Sequence, residues 1–206
     1  MKRLIGREKE IESLEAYVDS GQAEFIAIYG RRRVGKTFLI NQLFRNRLGF
    51  SLTGIIDGTP SEQMESFVQA LEFNGYKINE HPKNWLTAFA ELRKFLQPKI
   101  NSGEPCIVFI DEISCFDSQR SGFVRALGFF WNSWASLQDN LKLIICGSVT
   151  SWMITNIIDS KGGLHNRVTH EIALHQFTLH ETELYLLNRG FNWSRLTILQ
   201  AYMCLG

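Results

Sequence analysis

The sequence predicts an α/β fold, a parallel sheet with helices on both faces, and three observations carry that prediction. Short apolar runs alternate with segments of helical period along the chain, the arrangement that gives a parallel sheet with crossover helices. The run Cys106-Ile107-Val108-Phe109-Ile110 contains no polar residue, as a strand covered on both faces requires. The 206 residues are 45% hydrophobic and 12% aromatic, enough for a sizeable core, which excludes intrinsic disorder.

Residues 8–19 carry Ile11, Leu14, Tyr17 and Val18 at helical spacing, with Gly21 as a stop signal. Residues 24–29 form a short aromatic and β-branched run ended by Gly30, read as a buried strand. A glycine-bracketed loop leads to a helix over 37–48, followed by a strand over 50–56 that Asp57-Gly58 ends. Helices are expected over 61–73, opened by Thr59 or Ser61 with Pro60 near its start, and over 82–100. After the strand 106–110, a helix over 118–137 sets Phe123, Leu127, Phe130, Trp134 and Leu137 on one stripe. Phe129, Phe130, Trp131 and Trp134 exceed what one stripe needs; packing is the first reading and a partner-facing patch the second. A strand over 141–146, a short helix over 149–158, a strand over 168–174 and helices over 181–188 and 194–205 complete the pattern. No repeat or linker divides the chain, so residues 1–206 are expected to be one nucleotide-binding domain, its core within about 1–175 and 176–206 opening a helical part.

Composition narrows the function. Lys and Arg number 22 against 21 Asp and Glu, and a net charge of +1 offers no chain-wide basic footprint for nucleic acid or acidic membrane. The apolar runs fall far short of the roughly 18 to 20 residues that span a bilayer. The start, Met1-Lys2-Arg3-Leu4-Ile5-Gly6-Arg7-Glu8, holds no signal-peptide core, so a cytoplasmic location is the expectation. Cys106, Cys115, Cys146 and Cys204 have no C-x-x-C spacing and are expected to be reduced, buried small hydrophobes. His165, His170, His175 and His180 recur every five residues, a period that puts them on no shared helix or strand face, so they are not read as a zinc site.

The chemistry concentrates in three places. Gly30-Arg31-Arg32-Arg33-Val34-Gly35-Lys36-Thr37 fits the phosphate-binding pattern G-x-x-x-x-G-K-[ST] between a strand and a helix. Glycines at that spacing let consecutive backbone N–H groups converge on phosphates, helped by the helix dipole. Lys36 is then expected at the β- and γ-phosphates and the Thr37 hydroxyl on Mg²⁺. The strand 106–110 ends in Asp111-Glu112, where Asp111 can hold the Mg²⁺ shell and Glu112 can act as general base for the attacking water. The fourth strand ends at Gly147-Ser148, and two readings stay open: Ser148 or Thr150 senses the γ-phosphate or holds the water, or Ser148 caps the next helix. Arg167, after Gly162-Gly163, either delivers charge to the transition state from a mobile loop or is an ordinary surface arginine. The Arg31, Arg32, Arg33 triplet suits the loop's need for positive potential and is weak evidence for DNA contact.

These residues together resemble a known family. Ile5-Gly6-Arg7-Glu8, the loop from Gly30 to Thr37, Phe109-Ile110-Asp111-Glu112 and Ile145-Cys146-Gly147-Ser148 look like the motif series of the archaeal-type ATPases of the STAND branch of AAA+ P-loop ATPases. The resemblance implies a three-layer α/β/α sandwich with sheet order 5-1-4-3-2 and nucleotide at the mouth of strands 1, 3 and 4. It implies an ATP/ADP site made by Ile5, Arg7, Gly30, Arg33, Val34, Gly35, Lys36, Thr37 and Phe38, with Ile5 and Arg7 against the adenine or ribose and Mg²⁺ on Thr37 and Asp111. The catalytic set it implies is Lys36, Asp111, Glu112, Ser148 and Arg167. Relatives continue past Tyr202-Met203-Cys204-Leu205-Gly206 into a helical lid and an effector module, so this chain is expected to be a truncated fragment of a Mg-ATP-dependent switch. Its expected partners are ATP, a protein or its own C-terminal domain, and a second copy. The alternatives are a nucleotide-bound DNA-binding or scaffold subunit akin to initiator ATPases, and a P-loop kinase.

Overall fold

The computed structural model describes residues 4–119 and 121–205. Five parallel strands form the sheet: β1 (Glu24–Tyr29), β2 (Leu48–Thr53), β3 (Cys106–Asp111), β4 (Leu141–Gly147) and β5 (His170–Ala173). Their spatial order, β2-β3-β4-β1-β5, is the expected 5-1-4-3-2 read from the opposite edge. The helices are α1 (Glu8–Val18), α2 (Lys36–Phe44), α3 (Pro60–Phe73), α4 (Trp85–Ile100), α5 (Phe123–Ser133), α6 (Thr150–Met153), α7 (Leu179–Asn188) and α8 (Arg195–Leu205).

Alternation of side chains along each strand divides the core into two layers. Phe25, Ala27, Val108, Ile110, Leu143 and Ile145 face α3, α4 and α5. Ile26, Ile28, Ile107, Phe109, Ile144 and Cys146 face α1 and α2, meeting Leu14, Val18, Leu39, Ile40 and Phe44. With each fully buried large apolar side chain contributing about 1.5–3 kcal/mol, helices on both faces follow from strands that are apolar on both faces. Two charged residues are opposite one another at the amino edge, Glu24 beside Lys142. The buried Lys142 ammonium donates to the carbonyls of Asp139, at 3.0 Å, and of Gln22. His170 lies 3.2 Å from Glu24 and stacks on Tyr17 at 3.5 Å.

Capping sets several boundaries. Thr59 opens α3 through a reciprocal capping box with Glu62, and Asn84 opens α4 with Thr87, so α4 starts after Pro82 rather than at it. The expected helix over 37–48 stops at Phe44, and Leu48 already belongs to β2. β2 in turn ends at Thr53, leaving Ile55 and Ile56 exposed in a loop. The stripe of α5 is buried through Trp134, where the backbone leaves the helical region (φ −149°) and a 3₁₀ turn leads toward β4; Leu137 is therefore 72% exposed. Trp131, Phe130 and Trp134 are core residues and Phe129 is exposed. Cys106 and Cys146 are buried, with burial pushing the Cys106 thiol up to about 11, whereas Cys115 is half-buried and Cys204 exposed. No described helix is long and apolar enough to cross a membrane.

Candidate active site

Strand direction brings the motifs to one edge. Tyr29, Asp111 and Gly147 end three adjacent parallel strands, and the loop that follows each opens at the carboxyl edge of the sheet, where ligands of such sheets bind. Gly30 passes so close to the exit of β5 that a Cβ there would stand 2.1 Å from the Leu174 carbonyl oxygen, and its φ of 148° also favours glycine. Gly35, at φ 96°, precedes the first turn of α2 with nothing within 4 Å of the Cβ position, so its left-handed backbone and not crowding favours glycine there. Arg33 takes the left-handed region at φ 68°.

Lys36 is buried, and its ammonium donates to the carbonyls of Gly30 at 2.8 Å and Arg31 at 3.0 Å, holding the loop closed on itself. One position on, the Thr37 hydroxyl donates to Asp111 Oδ2 at 2.6 Å. Asp111 is 2% exposed; burial pushes its pKa up, and hydrogen bonds from Thr37 and the Glu112 amide offset part of that rise. A buried carboxylate beside a hydroxyl is a hard-oxygen donor pair whose charge calls for a cation, so the residues present fit Mg²⁺. Glu112 holds a left-handed backbone at φ 47°, ψ 47°, and its Oε2 accepts from the Ser148 hydroxyl at 2.7 Å. Ser148 does not cap α6, whose N-cap is Val149 and which has no side-chain cap.

Arg7 reaches the loop from behind. It is 6% exposed, and its Nη2 donates to the carbonyls of Val34 at 3.0 Å and His175 at 2.6 Å. The guanidinium also lies 4.8 Å from the Phe177 ring centre, while the Arg7 amide donates to Glu181 Oε1 at 2.8 Å. Burial opposes ionisation of Glu181, but donors from Thr178 and Arg7 outweigh it and hold the carboxyl below its usual range. One arginine thus fastens the phosphate loop to the segment leading into α7. Ile5 is half-buried, and Phe38, in the first turn of α2, is exposed.

Arg167 is not brought to the other residues. β5 pairs with β1 from His170 opposite Ile26 to Ala173 opposite Tyr29, so the residue three before His170 lies at the edge where β1 begins. At about 3.3 Å per residue, the four residues from Ile26 to Gly30 set His170, where β5 begins, roughly 13 Å from the loop. Two residues without a motif do reach the site. Tyr202 of α8 and His175 line a cavity of about 380 Å³ with Gly30, Arg31, Val34 and Leu174, a size suited to a small ligand. No spacing signals either, because they meet the loop only through the path of the chain after β5.

Comparison with known proteins agrees with this fold. An uncharacterized protein of Methanocaldococcus jannaschii, MJECL04, is 28% identical over 169 residues, covering 80% of this chain and 34% of its own length. The Walker-type ATPase of Pyrococcus abyssi superposes with a TM-score of 0.66 at 20% identity, over 96% of this chain and 62% of that one. The Aeropyrum pernix ORC2 protein, solved as ADPNP and ADP complexes, gives 0.63 at 15% identity, over 94% of this chain and 55% of that one. The chain thus spans about a third of the curated relative and a little over half of these structures. The model of the family described as "ATPase domain predominantly from Archaea" matches residues 4–195, nearly the whole chain with the phosphate loop and Asp111 inside it, and the chain belongs to that family.

Proposed function

We propose that this chain binds Mg-ATP and hydrolyses it slowly, as the nucleotide-binding part of a molecular switch of the STAND branch of AAA+ ATPases. The observation that carries the reading is the Thr37–Asp111 pair at 2.6 Å, beside a buried Lys36, on a glycine-bounded loop. Catalysis would be chiefly positional and electrostatic. Lys36 exchanges the carbonyls of Gly30 and Arg31 for the β- and γ-phosphates of ATP, and the amides about Gly35 receive phosphate oxygens. Thr37 and Asp111 would hold Mg²⁺, which neutralises phosphate charge when bound. Glu112 orients a water and takes its proton as the water oxygen bonds to the γ-phosphorus and the bond to the β-γ bridging oxygen breaks, giving ADP and phosphate. Ser148, donating to one Glu112 oxygen, leaves the other for the water. Arg167, distant from Gly30 in its own chain, would neutralise charge at the site of a neighbouring copy.

The switch reading rests on Arg7, whose guanidinium spans the Val34 and His175 carbonyls: a change in the loop on nucleotide binding would be felt at α7 and α8 and by a C-terminal module beyond them. A cytoplasmic location goes with it. The exposed triplet Arg31, Arg32 and Arg33 leaves a second reading, a nucleotide-bound DNA-binding or scaffold subunit, for which duplex DNA binding weakened by salt is the test.

The experiment is calorimetric titration of ATP, ADP and GTP with Mg²⁺, run beside a phosphate-release assay. Adenine-nucleotide binding is expected, abolished by Lys36→Ala, while Glu112→Gln retains binding and stops turnover. A Glu112→Gln chain that still turned over would remove Glu112 from the reaction.

A further inference from the structure

The left-handed backbone of Glu112 is unusual for a residue with a side chain and persists only where its surroundings impose it. Two segments do so. The 3₁₀ turn Ile113–Phe116 returns the Cys115 amide to the Glu112 carbonyl at 2.9 Å. From the other side Gly54, just past β2, donates to the Asp111 carbonyl at 2.9 Å and comes so near that a Cβ would stand 2.6 Å from the Glu112 carbonyl oxygen and 2.8 Å from Cys115 Cβ.

A single side chain ties these segments together. Gln63, in the first turns of α3, is 2% exposed. Its Oε1 accepts from the Ile55 amide at 3.0 Å, and its Nε2 donates to the Ile55 carbonyl at 2.6 Å and the Cys115 carbonyl at 3.2 Å. Hydrogen bonds between a buried amide and three backbone groups hold both loops in one arrangement, and loss of the amide takes this partner from the Ile55 amide and the Cys115 carbonyl, while the Ile55 carbonyl keeps the Gly58 amide at 3.1 Å. Gly58 leaves the space for it, since a Cβ there would stand 2.9 Å from Gln63 Nε2.

We propose that Gln63 is a positioning residue for the hydrolytic reaction: by tying Ile55 to Cys115 it fixes the backbone of Glu112, and with it the direction in which that carboxylate meets the attacking water. The inference rests on the hydrolytic reading above. Gln63 touches neither substrate nor phosphate loop, so the reaction rate depends on it and nucleotide affinity does not. A displacement of about 1 Å in a general base costs up to about a hundredfold in rate.

The test uses Gln63→Met, of similar length without the amide, and Gln63→Glu, which as a carboxylate keeps an acceptor for Ile55 and loses both donors. Whichever folds, as judged by a cooperative melt, is compared with the parent. The expected result is a fall in kcat of about tenfold or more with the ATP dissociation constant within about twofold. A purely structural role would instead weaken affinity in step with rate, and that result overturns the proposal. Hydrogen exchange reads the same claim without turnover: exchange over residues 112–116 should rise about tenfold while 30–37 stays unchanged. Unchanged exchange over 112–116 overturns the positioning role even if the parent proves inactive. Absence of phosphate release by the parent, with the exchange change present, refutes the hydrolytic reading and leaves the tie between Gln63 and Glu112 standing.

Discussion

Replacing Arg7 with alanine removes the tie between the phosphate loop and α7 without disturbing the backbone that carries it. Arg7 already has a side chain at φ 67°, so alanine adds no strain and the effect belongs to the guanidinium. That group makes two charged hydrogen bonds to part-buried carbonyls, at 3.0 Å and 2.6 Å, each contributing about 1.5–3 kcal/mol. The face of Phe177 adds about 0.5–1 kcal/mol, and the 3.6 Å pair with Glu10, itself partly exposed, adds little. Water entering the gap recovers part of this, and the expected cost is about 3 kcal/mol. Most of it should appear as local opening of α7 and α8, because α7 has no fully buried residue while the sheet core lies elsewhere. Hydrogen exchange over 179–188 should accelerate by about two orders of magnitude, with denaturant unfolding of the sheet changed much less. Arg7→Lys should restore less than half, since an ammonium cannot reproduce the planar guanidinium's set of contacts. If Arg7→Ala exchanges over 179–188 at the parental rate, the tie carries no energy and the reasoning fails.

Ser148→Ala should lower kcat by roughly tenfold and leave ATP binding unchanged, because it removes a 2.7 Å bond from Glu112 and nothing from the phosphate loop; single-turnover rates with binding titrations check this. Asp111 bears on stability as well as chemistry. With its folded-state pKa raised by burial, its contribution is greatest below the ordinary carboxylate range and is lost as pH rises through the raised value. Asp111→Asn should therefore raise the melting temperature of the metal-free chain at neutral pH, lose that advantage toward acid, and abolish stabilisation by Mg²⁺ with nucleotide. Thermal melts across pH, with and without Mg-ATP, would refute this if the variant melted lower at neutral pH.

Much of the site could be read in advance because its chemistry is local. A phosphate cradle needs consecutive amides, so residues 30–37 announce themselves as a string, and an acid pair closing an apolar strand announces Asp111 and Glu112. Their meeting follows from parallel strands ending at one edge, which the alternation of elements already implies. Arg167 shows what a string leaves open: its glycine-preceded loop suits a mobile arginine, and only the parallel pairing of β5 with β1 shows that this loop enters β5 at the edge where β1 begins.

What the sequence determined by itself was the fold class, the sheet's two-sided burial and the glycine-bounded loop of residues 30–37, since each depends on periodicity or contiguity within a few residues. What only the tertiary structure decided was how that site is held and bordered. Arg7 meets His175 across 168 residues, Gln63 meets Cys115 across 52, and Ser148 meets Glu112 across 36. Tyr202 of α8 lines the same cavity as Tyr29 at the end of β1, 173 residues earlier in the chain. Such contacts join elements that are distant in the chain, and a hydrogen bond between them depends on positions set to within about half an ångström by packing, which no residue's own neighbours encode.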